Sequence, residues 1–390
     1  MPNRASRSGR NSIVATLELQ DIRKSYGAKQ VLAPTSLKIA DGEFLCIFGP
    51  PGCGKTVLLR LLLGLETPDS GDILIDGRSV VMLTPAQRNL AMVFQNLALF
   101  PHMNVRQNLA FPLRERRAPQ DRVAERVAAV AETLHIGQLL WKLPAHLSGG
   151  ERQRVALGRA LIRPSNALLM DEPISALDAR LREEMRVELK RLQREIGQTI
   201  VYVTHDQEEA MSVADRLCVM GDGTIKQVGT PSEIYDRPTD AYVARIVGSP
   251  PMNFISGTYD AVEGLFLSPE LGFRLAIGRA ESWAGGPASL GIRSEDISIE
   301  KSAAAGDSAF SATVYEVEPL GAYTIVDLAI GQSIFRAQIP GQPRFEPDQR
   351  VRFSFDLAKC HLFNGASEAR VAVNDPRVPV SSAAQAARRE

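Results

Sequence analysis

The sequence predicts an α/β domain with a parallel sheet, followed by a smaller β-rich domain. Continuous apolar runs at residues 44–48, 167–170 and 199–203 alternate with amphipathic helical stretches. Such runs are typical of parallel strands that helices cover on both faces. After Met252 the strand-like segments become short and turn-bounded, as at residues 290–293, 312–317 and 351–355. This second pattern indicates a small all-β barrel or sandwich.

The order of these patterns predicts the domain limits. Residues 14–245 are expected to form the α/β domain, and residues 246–375 the β-rich domain. Between about 96 and 160 the strand signal disappears and a helical stripe follows, formed by Val123, Val127, Val130 and Leu134. We therefore expect a helical subdomain inserted there. The ends, 1–13 and 376–390, are rich in Arg and small polar or apolar residues, and we expect them to be disordered.

The composition is that of a globular protein without a strong overall charge. Lys and Arg total 45 of the 390 residues and are balanced by 45 Asp and Glu, which argues against nucleic acid as a partner. Four scattered cysteines without a Cys-x-x-Cys pair favour a reducing compartment. No stretch approaches the roughly 18 apolar residues of a membrane span. Any work at a membrane would therefore require other subunits.

A glycine-rich loop follows the first apolar run. It matches the pattern G-x-x-x-x-G-K-[ST] and consists of Gly49, Pro50, Pro51, Gly52, Cys53, Gly54, Lys55 and Thr56. Glycines let successive N–H groups point at phosphate oxygens, and the helix that follows adds its positive end. Lys55 would reach the β- and γ-phosphates, and the Thr56 hydroxyl would ligate Mg²⁺. The loop predicts a P-loop ATPase that binds ATP with Mg²⁺.

Two carboxylates follow the second apolar run. Asp171 directly follows the apolar run at residues 167–170, and Glu172 comes next. A carboxylate beside a phosphate loop can hold Mg²⁺ directly or through water, and the next one can polarise the attacking water. We assign these roles to Asp171 and Glu172 respectively.

A further motif lies shortly before this strand: Leu147, Ser148, Gly149, Gly150, Glu151, Arg152 and Gln153. It resembles the signature motif of the ATP-binding subunits of ABC transporters. Ser148 is a good N-cap, and the glycines leave the helix start bare, which makes an anion site. In this family the signature contacts the γ-phosphate held by a second subunit. The resemblance therefore implies that the chain works as a dimer. An isolated monomer is expected to be nearly inactive.

Other positions resemble the family pattern in the same order. Tyr26 resembles the aromatic residue that stacks on adenine, and Gln95 the glutamine that touches Mg²⁺ and the attacking water. His205 resembles the switch histidine at the γ-phosphate, and Asp178 the loop that couples the two sites of the dimer. With Lys55 and Glu172, the resemblance makes Gln95 and His205 catalytic residues, and it makes Gln95 a metal ligand beside Thr56 and Asp171.

The resemblance extends over residues 15–375 and is strongest to importers of maltose and glycerol 3-phosphate. It implies that the β-rich domain is an OB-like regulatory domain. It implies two membrane permease subunits, a second ATPase subunit and, indirectly, an external solute-binding protein. The chain is expected to lie at the cytoplasmic face of the inner (cell) membrane, where the permease would contact residues 100–102. Polyamine, iron and sulfate importers share parts of the pattern, and a permease-free ABC ATPase is a rival. A small-ligand sensor in the β-rich domain, which would regulate the ATPase, is compatible with the importer hypothesis.

Four positions depart from the family pattern. Pro51 replaces the usual serine and removes one N–H from the loop. Val57, which we include among the nucleotide-binding positions, removes a hydroxyl that commonly meets the α-phosphate. Ile174 and Ala176 replace the usual leucine and asparagine. These changes could slow hydrolysis or alter its coupling across the dimer, but no element that abolishes catalysis is missing.

Overall fold

The computed structural model of the protein describes residues 15–269, 271–280, 282–300 and 310–374. These residues form two compact units that divide between Glu233 and Ile234. The ends that we expect to be disordered, 1–13 and 376–390, lie outside the described part of the chain. The predicted domain boundary after residue 245 stays a prediction.

The first unit combines a mixed sheet, an antiparallel sheet and helices. Its strands are β1 (Leu17–Tyr26), β2 (Lys29–Ile39), β3 (Phe44–Phe48), β4 (Ser70–Ile75), β5 (Arg78–Ser79), β6 (Ala91–Val93), β7 (Leu168–Asp171), β8 (Ile200–Thr204), β9 (Arg216–Gly221) and β10 (Thr224–Gly229). Its helices are α1 (Lys55–Leu63), α2 (Pro85–Arg88), α3 (Val105–Glu115), α4 (Gln120–Thr133), α5 (Gly149–Leu161), α6 (Ala179–Ile196) and α7 (Gln207–Val213), and α8 (Pro231–Asp236) spans the division.

The mixed sheet has the strand order β10-β9-β3-β8-β7-β6. The apolar runs of the sequence form β3, β7 and β8, which pair in parallel. Their register aligns Phe48 with Thr204, and Asp171 with Val203. Because parallel strands end at the same edge, the segments that follow β3, β7 and β8 leave the sheet side by side.

The antiparallel sheet, in the order β2-β1-β4-β5, was not part of the predicted architecture. Its strands mix buried apolar residues with exposed polar ones and are not continuous apolar runs. Strand β1, for example, buries Leu17 and Leu19 and exposes Gln20 and Asp21. The apolar side chains of α1 share one core with residues of both sheets. Helix α1 is therefore held by packing along most of its length, which fixes the loop that precedes it.

Between β6 and β7 the described chain is helical, with α3, α4 and α5 as its main elements. The stripe expected in this region is buried at Val123, Val127, Val130 and Leu134. No helix among the described residues combines the length and the apolar character that crossing a bilayer requires.

The second unit is β-rich, as predicted. It contains α9 (Ala241–Ile246) and the strands β11 (Asn253–Asp260), β12 (Leu265–Ser268), β13 (Phe273–Ala276), β14 (Gly285–Ile292), β15 (Ile297–Glu300), β16 (Phe310–Pro319), β17 (Tyr323–Ile330), β18 (Ser333–Pro340), β19 (Arg350–Phe355), β20 (His361–Asn364) and β21 (Arg370–Val371). One sheet has the order β13-β12-β11-β14-β20-β21 and another the order β15-β19-β16-β17-β18. Residues of both sheets, among them Phe266 and Phe353, form a single core, as in packed β-sandwiches and barrels.

Candidate functional site

The glycine-rich loop, residues 49–56, connects β3 to α1. Gly52 and Gly54 have φ angles of 82° and 103°, in the left-handed region that favours glycine. A Cβ on Gly54 would lie 2.7 Å from Leu32 Cδ2, whereas a Cβ on Gly52 would meet nothing within 4 Å. The loop therefore needs glycine at 54 for close packing below it, and it is open to a ligand at Gly52.

Lys55 lies inside this loop and is only 5% exposed. Its Nζ donates to the carbonyl oxygens of Gly49 at 2.8 Å and Pro50 at 3.0 Å. These bonds hold the ammonium group against the loop backbone, at the start of α1. A buried cation beside a helix N-terminus makes this the most favourable place for an anion at this edge of the sheet.

Thr56 and Asp171 meet at the next point along the edge. The Thr56 hydroxyl donates to Asp171 Oδ1 at 3.2 Å. Burial raises the pKa of the Asp171 carboxyl, and the Thr56 hydrogen bond opposes that shift. Hydroxyl and carboxylate oxygens suit Mg²⁺, which usually takes its other ligands from phosphates and water. This fits the described residues, in which no three His, Cys, Asp or Glu side chains form a metal cage of their own.

Glu172 lies between Gln95 and His205, two of the other predicted catalytic side chains. Its Oε2 accepts from the Gln95 amide at 3.4 Å, and its Oε1 lies 2.9 Å from His205 Nδ1. Glu172 has a positive φ of 45°, which is uncommon for a residue with a side chain. Such strained backbone is concentrated at functional sites. The structure thus brings Gln95, Glu172 and His205 together at the ends of β6, β7 and β8.

The backbone around His205 is held by a network that the sequence reasoning missed. Thr204 donates from its hydroxyl to Glu209 at 2.7 Å and accepts from the Asp206 N–H at 2.9 Å. The buried Tyr202 hydroxyl also donates to Glu209, at 2.8 Å. Burial raises the pKa of the Glu209 carboxyl. The spacing Asp206-x-x-Glu209 at a helix start was a signal for this anchor.

The signature residues begin α5. The Ser148 hydroxyl accepts from the Glu151 N–H at 3.3 Å, and Glu151 accepts from the Ser148 N–H at 2.8 Å, which forms a capping box. Added Cβ atoms on Gly149 and Gly150 would lie 2.9 Å from Leu177 and 2.8 Å from Leu181. The glycines therefore also permit close packing against the segment that begins α6, a role that the sequence reasoning did not include.

The signature is not bonded to the phosphate loop. Among the described residues, no hydrogen bond or ion pair joins Ser148 or Glu151 to residues 49–56 or to Glu172. Asp178 caps α6 by accepting from Leu181 N–H at 3.0 Å, in the same segment that packs on the signature glycines. Within one chain, the predicted site residues therefore form separate groups.

Tyr26 ends β1 and is half exposed, with Lys24 Nζ 5.5 Å from the ring centroid. Its hydroxyl donates to Glu66, which raises the pKa of Tyr26. Among the described residues, no hydrogen bond or ring contact joins the Tyr26 side chain to residues 49–56. Val57 packs against the core of the first unit, and Ile174 is fully buried. Exchanging leucine for isoleucine at a buried site is usually a small perturbation.

Arg159 on α5 was also missed by the sequence reasoning. Its guanidinium donates to the carbonyl oxygens of Ala98 at 2.5 Å and Leu97 at 2.8 Å, just after Gln95. Leu97 and Ala98 both have positive φ angles. A bidentate arginine thus ties the helix that begins at Ser148 to the loop that carries Gln95. The helical spacing of Ser148 and Arg159 gave no hint of this long-range contact.

Comparison with known proteins identifies the family. An ABC transporter model matches residues 32–175, a MalK OB fold domain model residues 248–297, and a TOBE domain model residues 290–363. The chain is 45% identical over 364 residues to the sn-glycerol-3-phosphate import ATP-binding protein UgpC of Brucella abortus, covering 92% of this chain and 99% of the relative. The chain belongs to the import ATP-binding proteins of the ABC transporter family.

Other relatives agree over the same length. The trehalose/maltose import ATP-binding protein MalK of Thermococcus litoralis is 42% identical over 365 residues, or 90% of this chain and 98% of that protein. UgpC of Cereibacter sphaeroides is 45% identical over 362 residues, or 92% and 100%. The predicted ABC ATPase fold, the β-rich OB-like second domain and the assignment to an ATP-hydrolysing import subunit are therefore confirmed.

Proposed function

We propose that this ATPase powers the uptake of a sugar, a sugar alcohol or a glycerol phosphate. The arrangement of Glu172 between Gln95 and His205, beside Thr56 and Asp171, carries the ATP-hydrolysing part of this proposal. The names of the relatives, which import sn-glycerol 3-phosphate or trehalose and maltose, support the solute class. A polyamine, iron or sulfate importer is the alternative.

The catalytic roles follow from where the side chains project. Lys55 and the loop amides would bind the β- and γ-phosphates, and Thr56, Asp171 and Gln95 would hold Mg²⁺, which neutralises phosphate charge. Glu172 is placed to accept a proton from, or orient, the attacking water. His205 lies 2.9 Å from Glu172 and would fix its carboxylate while facing the γ-phosphate. Tyr26 is proposed to stack on the adenine.

The separation of the signature from its own loop supports a dimer. Residues 148–151 present a capped helix start whose closest bonded partners lie within α5 itself. We propose that this helix start, with Asp178, completes the nucleotide site of a second subunit. The Arg159 contact would then transmit the position of α5 to the loop of Gln95.

The permease surface is proposed to lie at the start of α3. Pro101, His102 and Trp141 are exposed there, and Trp141 stacks under Arg106 at 5.6 Å. Backbone bonds from Val105 to Lys142 and from Arg106 to Leu140 hold these segments together. Two permease subunits would dock on this surface at the cytoplasmic face of the membrane, and an external solute-binding protein would deliver the solute to them.

Purification of the tagged chain from detergent-solubilised membranes tests the partner assignment. We expect a stoichiometric complex with two membrane subunits, and Trp141→Ala should weaken it while Trp283→Ala, in the second unit, should not. Recovery of the chain with bound RNA and no membrane subunit would instead favour the permease-free rival.

Uptake of labelled maltose, trehalose and sn-glycerol 3-phosphate tests the solute class. A strain that lacks the chain should lose uptake of one of these, and the wild-type chain should restore it, whereas Glu172→Gln should not. Unchanged uptake of all of them, with lost uptake of a polyamine, iron or sulfate, would overturn the sugar and glycerol phosphate assignment.

A further inference from the structure

The first turn of α6 lies between two segments of the candidate site. Asp178 caps this helix by accepting from the Leu181 N–H at 3.0 Å. On one side, a Cβ added to Gly150 of the signature would lie 2.8 Å from Leu181 Cδ1, so Leu181 packs closely against the signature. On the other side, Arg182 forms an ion pair with the segment that follows His205. One helical turn therefore contacts both segments.

Three basic side chains of α6 form a row of ion pairs with the segment 206–215, which includes α7. Arg182 pairs with Asp206 at 3.2 Å, Arg186 with Glu208 at 2.9 Å and Lys190 with Asp215 at 2.6 Å. Successive cations of this row are four residues apart, so they lie on one face of the helix. The row therefore joins α6 to the whole segment that carries α7.

The first of these pairs involves the residue next to His205. Asp206 directly follows His205 and caps α7 by accepting from the Glu209 N–H at 3.1 Å. The Asp206 N–H donates to the Thr204 hydroxyl at 2.9 Å, so the residues on both sides of His205 are bonded to each other. His205 Nδ1 in turn lies 2.9 Å from Glu172 Oε1. The position of Asp206 therefore limits where the His205 ring can lie.

The Arg182 pair is more shielded from water than the pair beside it. The side chains of Arg182 and Asp206 are 34% and 25% exposed, whereas Glu208, the partner of Arg186, is 77% exposed. Burial raises the pKa of the Glu209 carboxyl, and the Arg182 charge is among the influences that oppose this shift. Arg182 is therefore close to both carboxylates that hold the start of α7, while an ion pair as exposed as that of Glu208 contributes little.

We propose that Arg182 is a positioning residue that links the signature and Asp178 to His205. In the proposed dimer, the signature and Asp178 contact the nucleotide of the second subunit, whereas His205 faces the nucleotide of its own chain. A shift of the first turn of α6 on closure would move Asp206 through Arg182, and with it the His205 ring relative to Glu172. This link rests on the dimer and on the role of His205 in the proposed function.

Steady-state hydrolysis by the assembled complex, measured over a range of ATP concentrations, tests the link. Arg182→Gln should lower kcat about tenfold, because a misplacement of about 1 Å can cost as much as about 10²-fold, and it should leave KM within about twofold of wild type. The Hill coefficient for ATP should fall toward one, because the two sites lose part of their coupling. Arg182→Lys can still pair with Asp206 and should recover most of the rate.

Matched variants separate this link from a general loosening of α7. Asp206→Asn removes the partner charge but keeps the cap, because asparagine caps a helix about as well as aspartate. It should lower kcat as much as Arg182→Gln does, and the double variant should be no slower than either single one. Arg186→Gln removes the neighbouring pair and should leave kcat within about twofold of wild type. If Arg182→Gln does not fold, Asp206→Asn takes its place with the same expected results.

The outcomes distinguish this link from the proposed function. Equal effects of Arg182→Gln and Arg186→Gln on kcat, or a Hill coefficient that Arg182→Gln leaves unchanged, would overturn the link and leave the proposed function intact. His205→Ala should lower kcat at least as much as Arg182→Gln, because Arg182 acts through His205. Hydrolysis by His205→Ala at the wild-type rate would remove the proposed role of His205 and, with it, the role of Arg182.

Discussion

Two regions of the molecule gather charged side chains in opposite ways. At the edge of the mixed sheet, each functional group follows the end of a parallel strand: the loop after β3, Gln95 after β6, Glu172 after β7 and His205 after β8. In a polar cleft of the second unit, lined by residues 235–237, 293, 295, 296, 358–361 and 370, the groups come from the end of helix α8, from antiparallel strands and from turns. In the first region each functional group lies just after its strand in the sequence. In the second region the residues come from segments that are far apart in the sequence.

The pairing of the charges differs as well. The strand-end groups contact one another in an open chain, from Gln95 through Glu172 to His205, and they remain partly accessible. The cleft instead combines tight internal pairs with the buried Nδ1 atom of His361, which has no hydrogen-bond partner among the described residues. Partial pairing with access suits a reacting ligand.

The largest expected effect is at the strand ends. Glu172→Gln keeps the hydrogen bond to Gln95 possible but removes the charge that would orient or deprotonate water. We expect hydrolysis to fall by about 10²–10⁴-fold, the usual contribution of a general base, with ATP binding retained. Steady-state phosphate release and nucleotide-binding measurements on the assembled complex check this.

Glu184→Gln is the matched control for that change. Glu184 lies on α6 and is exposed, with an i,i+4 ion pair to Arg180 that contributes little in solvent. Hydrolysis by Glu184→Gln should therefore stay near the wild-type rate. Retention of full activity in Glu172→Gln would remove Glu172 from the catalytic role and with it the contrast between the two regions.

The sequence predicted one of these regions well for a physical reason. A parallel strand reads as a continuous apolar run, and the residue after it must leave at the common edge, so Asp171 and Glu172 could be placed without coordinates, whereas the role of His205 depended on the family resemblance. The alternating strands β1 and β2 lacked that signal, and the sheet they form was not predicted. Arg159 and the partner of Tyr26 depend on tertiary contacts that no local spacing encodes.

The cleft shows the same limit more strongly. Arg293, His361 and Arg370 each occur in or beside a segment that reads as ordinary strand or turn, and the pairing of β14 with β20 and of β20 with β21 brings them together. The sequence suggested a possible sensor in this domain but no residue of it. Sites built across antiparallel sheets require the register, which the sequence leaves open.

The next largest effect concerns Gly54 in the phosphate loop. Gly54→Ala forces a side chain into a left-handed φ of 103° and brings its Cβ to 2.7 Å from Leu32 and 3.1 Å from the Val31 carbonyl oxygen. We expect a loss of about 3 kcal/mol in the free energy of unfolding, from left-handed strain and overpacking together, with weaker ATP binding. Urea unfolding and nucleotide titration measure both.

Gly27→Ala separates strain from packing. Gly27 also has a positive φ, of 59°, but an added Cβ there meets nothing within 4 Å. Gly27→Ala should lower the free energy of unfolding by only about 1 kcal/mol, because the left-handed backbone strain is its single cost. Equal losses in the two variants would show that close packing under the phosphate loop is unimportant.

The smallest effect tests the buried histidine of the cleft. The unfolded chain protonates His361 below its ordinary pKa of 6.5, whereas the folded chain resists protonation until about pH 4. This contribution to the free energy of unfolding is therefore fully present above pH 6.5 and is lost as the pH falls through this window, by about 2 kcal/mol at pH 5.

Urea unfolding of a Trp141→Phe chain measures this loss, because Trp283, stacked on Tyr259 at 5.5 Å, then reports on the second unit alone. The same chain with His361→Asn should lose this part of the pH dependence and keep the part due to carboxylates. Parallel pH profiles in the two chains would show that the His361 ring is accessible to water, as the strand-end groups are.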